Sequence, residues 1–150
     1  MIKTTQLRIM KKYFLTALLC LSVIVISFAQ QQPIITNTQA FEDYTNKVDA
    51  DRQAASDKKN FLRAETLLKQ WLRGYDALPD SVKRNFKDLE LSSYYNIACY
   101  NALLGNKKEA LSAFEKCVSL GYSNYKNAVN DADLEGLRKA RRYLSSLEAI

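Results

Sequence analysis

Few side chains in this 150-residue chain can do chemistry. There is no histidine, so the commonest general base and the commonest metal ligand are both missing. Of the three cysteines, Cys20 lies in an apolar N-terminal run, which leaves Cys99 and Cys117. Two thiols without an imidazole do not make a zinc site of ordinary type. Cys99 as a nucleophile has no imidazole to activate it. The four glycines stand singly, so there is no glycine-rich loop to cradle a phosphate. Carboxylate pairs occur at Glu42/Asp43 and Asp49/Asp51 in polar stretches, and read as solvated surface. The expectation is a non-enzyme with no cofactor and no metal. One charged cluster stands out: Arg138, Lys139, Arg141 and Arg142. It reads either as a patch for an anionic ligand or as a cationic last turn that balances a helix dipole.

The element that must position any site is Leu91–Tyr122. Two amphipathic helical patterns meet there at Gly105-Asn106. Small residues, Ala98 and Ala110, stand where two helices must approach closely. Tyr94, Ile97, Leu103, Leu104, Leu111 and Phe114 surround them at helical spacing. That is a helical hairpin with its packing seam written in.

Tyr94, Ile97, Ala98, Gly105, Ala110, Phe114 and Cys117 fall in the order and spacing of a tetratricopeptide repeat. The stretch resembles that family, whose unit is a 34-residue helix–turn–helix. Two places depart: Asn101 stands where Tyr is usual, and Tyr122 where the closing Pro is usual. The resemblance implies an all-α fold, a right-handed stack of helical hairpins with about five to six helices. It also implies a groove lined by the first helix of each unit. In this register the groove side offers Ser92, Tyr95, Asn96, Cys99, Ala102 and Leu103.

The rest of the chain extends this frame. A helix starts at Thr38, which can cap it, with Phe41, Tyr44 and Val48 on one face. The polar run 49–59 either continues that helix or breaks it near Ser56. Asn60 to Leu78 is a second helix with a broad apolar stripe that includes Phe61, Ala64, Leu68 and Trp71. It resembles the second helix of a degenerate repeat at 45–78, in which Arg52 replaces the expected Gly or Ala and Trp71 a small residue. Pro79 ends it. Residues 79–90 are a helical extension, so one long helix from Ser81 to Leu104 is expected, with Phe86 buried against the 60–78 helix. The second repeat is 91–124. Residues 125–150 resemble the cap of exported bacterial repeat modules, on Asp133-Leu134-Glu135-Gly136-Leu137-Arg138. The cap's usual Pro is missing, which leaves Asp133 to Leu147 free to run as one helix.

The N-terminus reads as an export signal. Lys11-Lys12 precede an uncharged run from Tyr13 to Ala29, and Ser27 and Ala29 occupy the small-residue places a signal peptidase reads. Residues 1–29 are therefore expected to be removed after Ala29, with 30–37 a flexible lead and 38–150 the helical domain. Four of the 22 Lys and Arg fall in the signal and none of the 16 acids, so the overall charge of +6 drops to +2. That small surplus argues against a nucleic-acid partner. The run is shorter than the roughly 20 residues of a membrane span, so no stable anchor is expected after cleavage. In an exported protein the two remaining thiols can oxidise. Cys117, at a small-residue packing place, reads instead as a buried hydrophobe.

Two main functional readings follow, beside a surface-binding module that would use the basic cluster. One is an exported, periplasmic or secreted scaffold that binds a protein or peptide in its helical groove. The other is the truncated N-terminal accessory domain of a larger exported enzyme of transglutaminase-like kind. Repeat modules usually need about three units to bury a continuous face. Two units and a cap leave apolar surface for a partner or a second copy.

Overall fold

The structure, a computed structural model, describes residues 37–150. The expected signal peptide, its cleavage after Ala29 and residues 30–36 of the lead lie outside the described residues. Among the described residues there are seven α-helices and two 3-10 segments, and no strand. The fold is all-α, with more helices than the five to six expected.

Helix α1 spans Thr38–Asp57. Asn37 caps it rather than Thr38: the Asn37 Oδ1 accepts from the Ala40 amide at 2.8 Å. The polar run does not break the helix, which buries a narrow stripe of Phe41, Val48 and Ala55. Lys59, at φ 55°, makes the turn. Helix α2 spans Phe61–Asp76, capped by Asn60 through the Arg63 amide.

The expected long helix from Ser81 is interrupted. A short α3, Asp80–Lys83, passes through a 3-10 turn at Arg84–Phe86 before α4 runs from Lys87 to Leu103. The tighter 3-10 winding accompanies the burial of Phe86. Its ring meets Phe41 of α1 edge-on at 4.9 Å, and Phe41 in turn lies 5.4 Å from Trp71 of α2. Phe86 thereby joins an aromatic cluster built from α1 and α2, which also holds Tyr75 stacked on Trp71 at 5.3 Å. Trp71 fills this cluster where the repeat pattern has a small residue, and its indole N–H donates to Thr45 Oγ1 at 2.8 Å.

Gly105 turns the chain at φ 78° into α5, Lys107–Ser119. Helices α4 and α5 make the most extensive contact of the fold, and α4 also packs on α2. Ala98, Ala110, Phe114 and Cys117 are fully buried at this seam, which lets the two backbones approach closely.

After Gly121 come α6, Tyr125–Asn130, a 3-10 segment at Ala132–Leu137, and α7, Arg141–Glu148. The single helix from Asp133 to Leu147 does not form. Ala140 is extended, with φ −79° and ψ 126°. Leu134, Leu137 and Tyr143 are all buried. In an unbroken α-helix residues 134 and 143 would point about 180° apart. The break lets both face the core, where the Phe114 and Tyr143 rings lie 4.8 Å apart. No helix among the described residues is long and apolar enough to cross a membrane.

Candidate functional site

The groove residues proposed from the sequence lie along α4, in unequal surroundings. Ser92, Asn96 and Ala102 are half-buried, and Leu103 is exposed. Tyr95 and Cys99 are turned toward the cap instead of an open groove. The Tyr95 hydroxyl donates to Asp131 Oδ2 at 2.6 Å and accepts from Asn127 Nδ2 at 2.8 Å. Its ring stacks on Tyr122 at 4.9 Å. Tyr122, which stands where the repeat family has Pro, shares the Asn127 amide through its own hydroxyl at 3.1 Å. The Cys99 thiol points at the same Asp131 Oδ2, at 3.9 Å.

Asp131 is the hub of this cluster. Its Oδ1 accepts the Asp133 amide at 3.0 Å, capping the 3-10 segment, and its carbonyl accepts from Arg138 Nη2 at 3.1 Å. Burial, reinforced by the bond to Asp131, raises the Tyr95 pKa. Burial, together with the charges of Asp131 and Asp133, raises that of Cys99. The Cys99 sulfur and the Asp131 and Asp133 carboxylates lie within 4.8 Å of one another. Buried and directed at Asp131, the Cys99 thiol is a poor nucleophile.

Two further departures from the repeat pattern join separate helices. Asn101 is buried, and its Nδ2 donates to Glu65 Oε1 of α2 at 2.8 Å and to the Ile97 carbonyl at 3.0 Å. Lys69 reaches the same Glu65 oxygen at 2.6 Å. A buried carboxylate thereby keeps two partners. Arg52 of α1 donates to the Tyr100 hydroxyl of α4 at 2.8 Å and is held by Asp49 at 2.7 Å. Each departure was visible in the sequence as a mismatch; its partner was not, because it is remote along the chain. Cys117 takes its expected packing place, as a free buried thiol whose Sγ lies 3.4 Å from the Leu91 carbonyl.

The basic cluster does not form the last turn of a helix. Arg138 ends the second 3-10 segment, and Arg141 and Arg142 open α7. The helix dipole there is positive, so it adds to these charges and does not offset them. Arg142 makes a two-pronged ion pair with Glu115 of α5, one arm at 2.7 Å. Lys139 and Arg141 enter no ion pair among the described residues. Arg141 and Arg142 line a shallow, open groove of about 490 Å³ between α5 and α7.

Comparison with known proteins gives one short match. A chloroplastic protein from Arabidopsis thaliana is 39% identical over 49 residues. That match covers 33% of this chain and 15% of the relative. No family model matches the chain, and no solved structure does.

Proposed function

We propose that the chain is a non-catalytic interaction module of tetratricopeptide type, exported through its N-terminal signal, that binds a protein or peptide along α4. The observation that carries this reading is the α4–α5 hairpin. Ala98, Ala110 and Phe114 are fully buried at the seam, while Ser92, Asn96 and Leu103 on the adjoining face stay accessible. The α2 helix repeats the theme with Ala64 and Leu68 buried. The accessible face mixes an amide, a hydroxyl and a leucine, groups suited to the backbone and side chains of a bound peptide.

Selection of random peptides displayed on phage against the purified protein tests the binding. Peptides are expected whose binding is lost in Asn96→Ala and Leu103→Asp, with thermal melting unchanged. A selection that yields only peptides indifferent to both changes refutes groove binding. Export is tested separately: N-terminal sequencing of the protein recovered from a bacterial periplasm is expected to begin at Gln30. A product that retains residues 1–29 in the cytoplasm refutes it.

A further inference from the structure

The groove between α5 and α7 lies on a different part of the surface from the α4 residues above. Half-buried Val118 and exposed Ala149 provide apolar lining, and Ser119 and Ser145 add hydroxyls. Its volume, about 490 Å³, is in the range that takes a few side chains. The charge on its lining is one-sided. Glu115 is the acid there, and it is already paired with Arg142. Arg141 lines the same groove without an ion pair, and Lys139 precedes it, likewise unpaired among the described residues.

We propose that this groove docks an acidic, partly apolar peptide segment of a partner protein. A carboxylate of the segment meets Arg141, to whose positive charge Lys139, two residues earlier in sequence, adds, and an adjacent aliphatic side chain covers Val118 and Ala149. The serine hydroxyls serve the segment's backbone. Charge complementarity selects the occupant: a cationic rim beside an apolar floor matches carboxylates interleaved with aliphatic side chains. A nucleic-acid backbone needs a longer basic stripe than this single rim.

The test uses the whole protein and a short fluorescein-labelled peptide that alternates Glu and Leu, read by fluorescence polarisation. The peptide is expected to bind, and to bind less tightly as salt rises. The paired change Lys139→Glu and Arg141→Glu is expected to weaken it by about tenfold or more. Acidic residues at the start of α7 suit its dipole, so this variant keeps its fold. Ser145→Glu, which puts a carboxylate into the groove without touching the cations, is expected to weaken binding as well. Lys47→Glu with Arg63→Glu makes the same net charge change on the exposed faces of α1 and α2, and is expected to leave binding unchanged.

The proposal fails if no binding is detected, if a Lys/Leu peptide binds as tightly, or if the remote pair of changes weakens binding as much as the rim pair. It also fails if phosphatidylglycerol vesicles, and not the peptide, lose binding in the rim variant. That last result would assign the cations to a lipid surface.

Discussion

The hydroxyl of Tyr95 on α4 donates a 2.6 Å hydrogen bond to the carboxylate of Asp131, at the head of the second 3-10 segment. A residue read from the sequence as groove lining is thereby a fastening between the hairpin and its cap. Tyr95→Phe removes the bond and leaves the ring stack on Tyr122. It is expected to cost about 1.5–3 kcal/mol in urea denaturation, as for a hydrogen bond to a carboxylate. Tyr95→Ala also loses the stack and is expected to cost about 3 kcal/mol or more. Equal stability of Tyr95→Phe and the parent would mean the bond does not hold the cap.

Asn101 and Glu65 tie α4 to α2 inside the core, 2.8 Å apart. Asn101→Leu strands the Glu65 carboxylate with Lys69 as its remaining partner, and is expected to cost about 2–3 kcal/mol. Changing both Asn101 and Glu65 to Leu removes the donor and the acceptor together, and is expected to recover most of that loss. A double variant no better than the single one would show that the pair is not coupled.

Stability is expected to fall in alkali through Tyr143. Burial pushes its phenol from 10.0 up to about 12, while its hydroxyl donates to the Ala128 carbonyl at 2.6 Å. The folded state therefore keeps a proton that the unfolded chain releases. Its contribution is full below about pH 10 and is lost as pH rises through about 12, some 2–3 kcal/mol in all. Tyr143→Phe has no proton to lose, so the stability of that variant is expected to decline less steeply over this window. Parallel curves for the two proteins would contradict the assignment.

Gly105 sits at φ 78°, with open space where a Cβ would be. The cost of Gly105→Ala is therefore backbone strain alone, about 1–2 kcal/mol. Asn tolerates this conformation better, so Gly105→Asn is expected to cost less in the same thermal melt.

The Cys99 and Cys117 thiols are expected to resist alkylation in the native protein. Both are buried, and burial pushes the Cys117 thiol up to about 12. Peptide mapping after iodoacetamide treatment should find both unmodified in buffer and both modified in urea. Rapid native labelling of Cys99 would show that the cap opens.

Much of this architecture was legible because its causes are local. Ala98 and Ala110 around Gly105, with aromatics at helical spacing, mark a close-packed hairpin wherever they occur. The second helix begins where its apolar stripe does, after Asn60. The ending of α2 before Pro79 also follows from nearby residues. Cys117 read correctly as packing, because a small residue at that helical position has no other place to point.

What the tertiary structure decided depends on contacts remote in sequence. Helical periodicity carries one continuous pattern through Phe86, yet Phe41 draws that ring inward and the helix winds into a 3-10 turn. Periodicity likewise leaves 133–147 unbroken, yet Leu134 and Tyr143 are both buried, and the 3-10 segment and the extended Ala140 let both face the core. Arg52, Trp71, Asn101 and Tyr122 look like faults in a repeat when read alone. In the fold they meet Tyr100, Thr45, Glu65 and Tyr95. A sequence lists which groups can donate, accept or pack, because that is covalent chemistry. Which of them meet is set by burial, since a polar group removed from water must find its partner wherever the chain brings one.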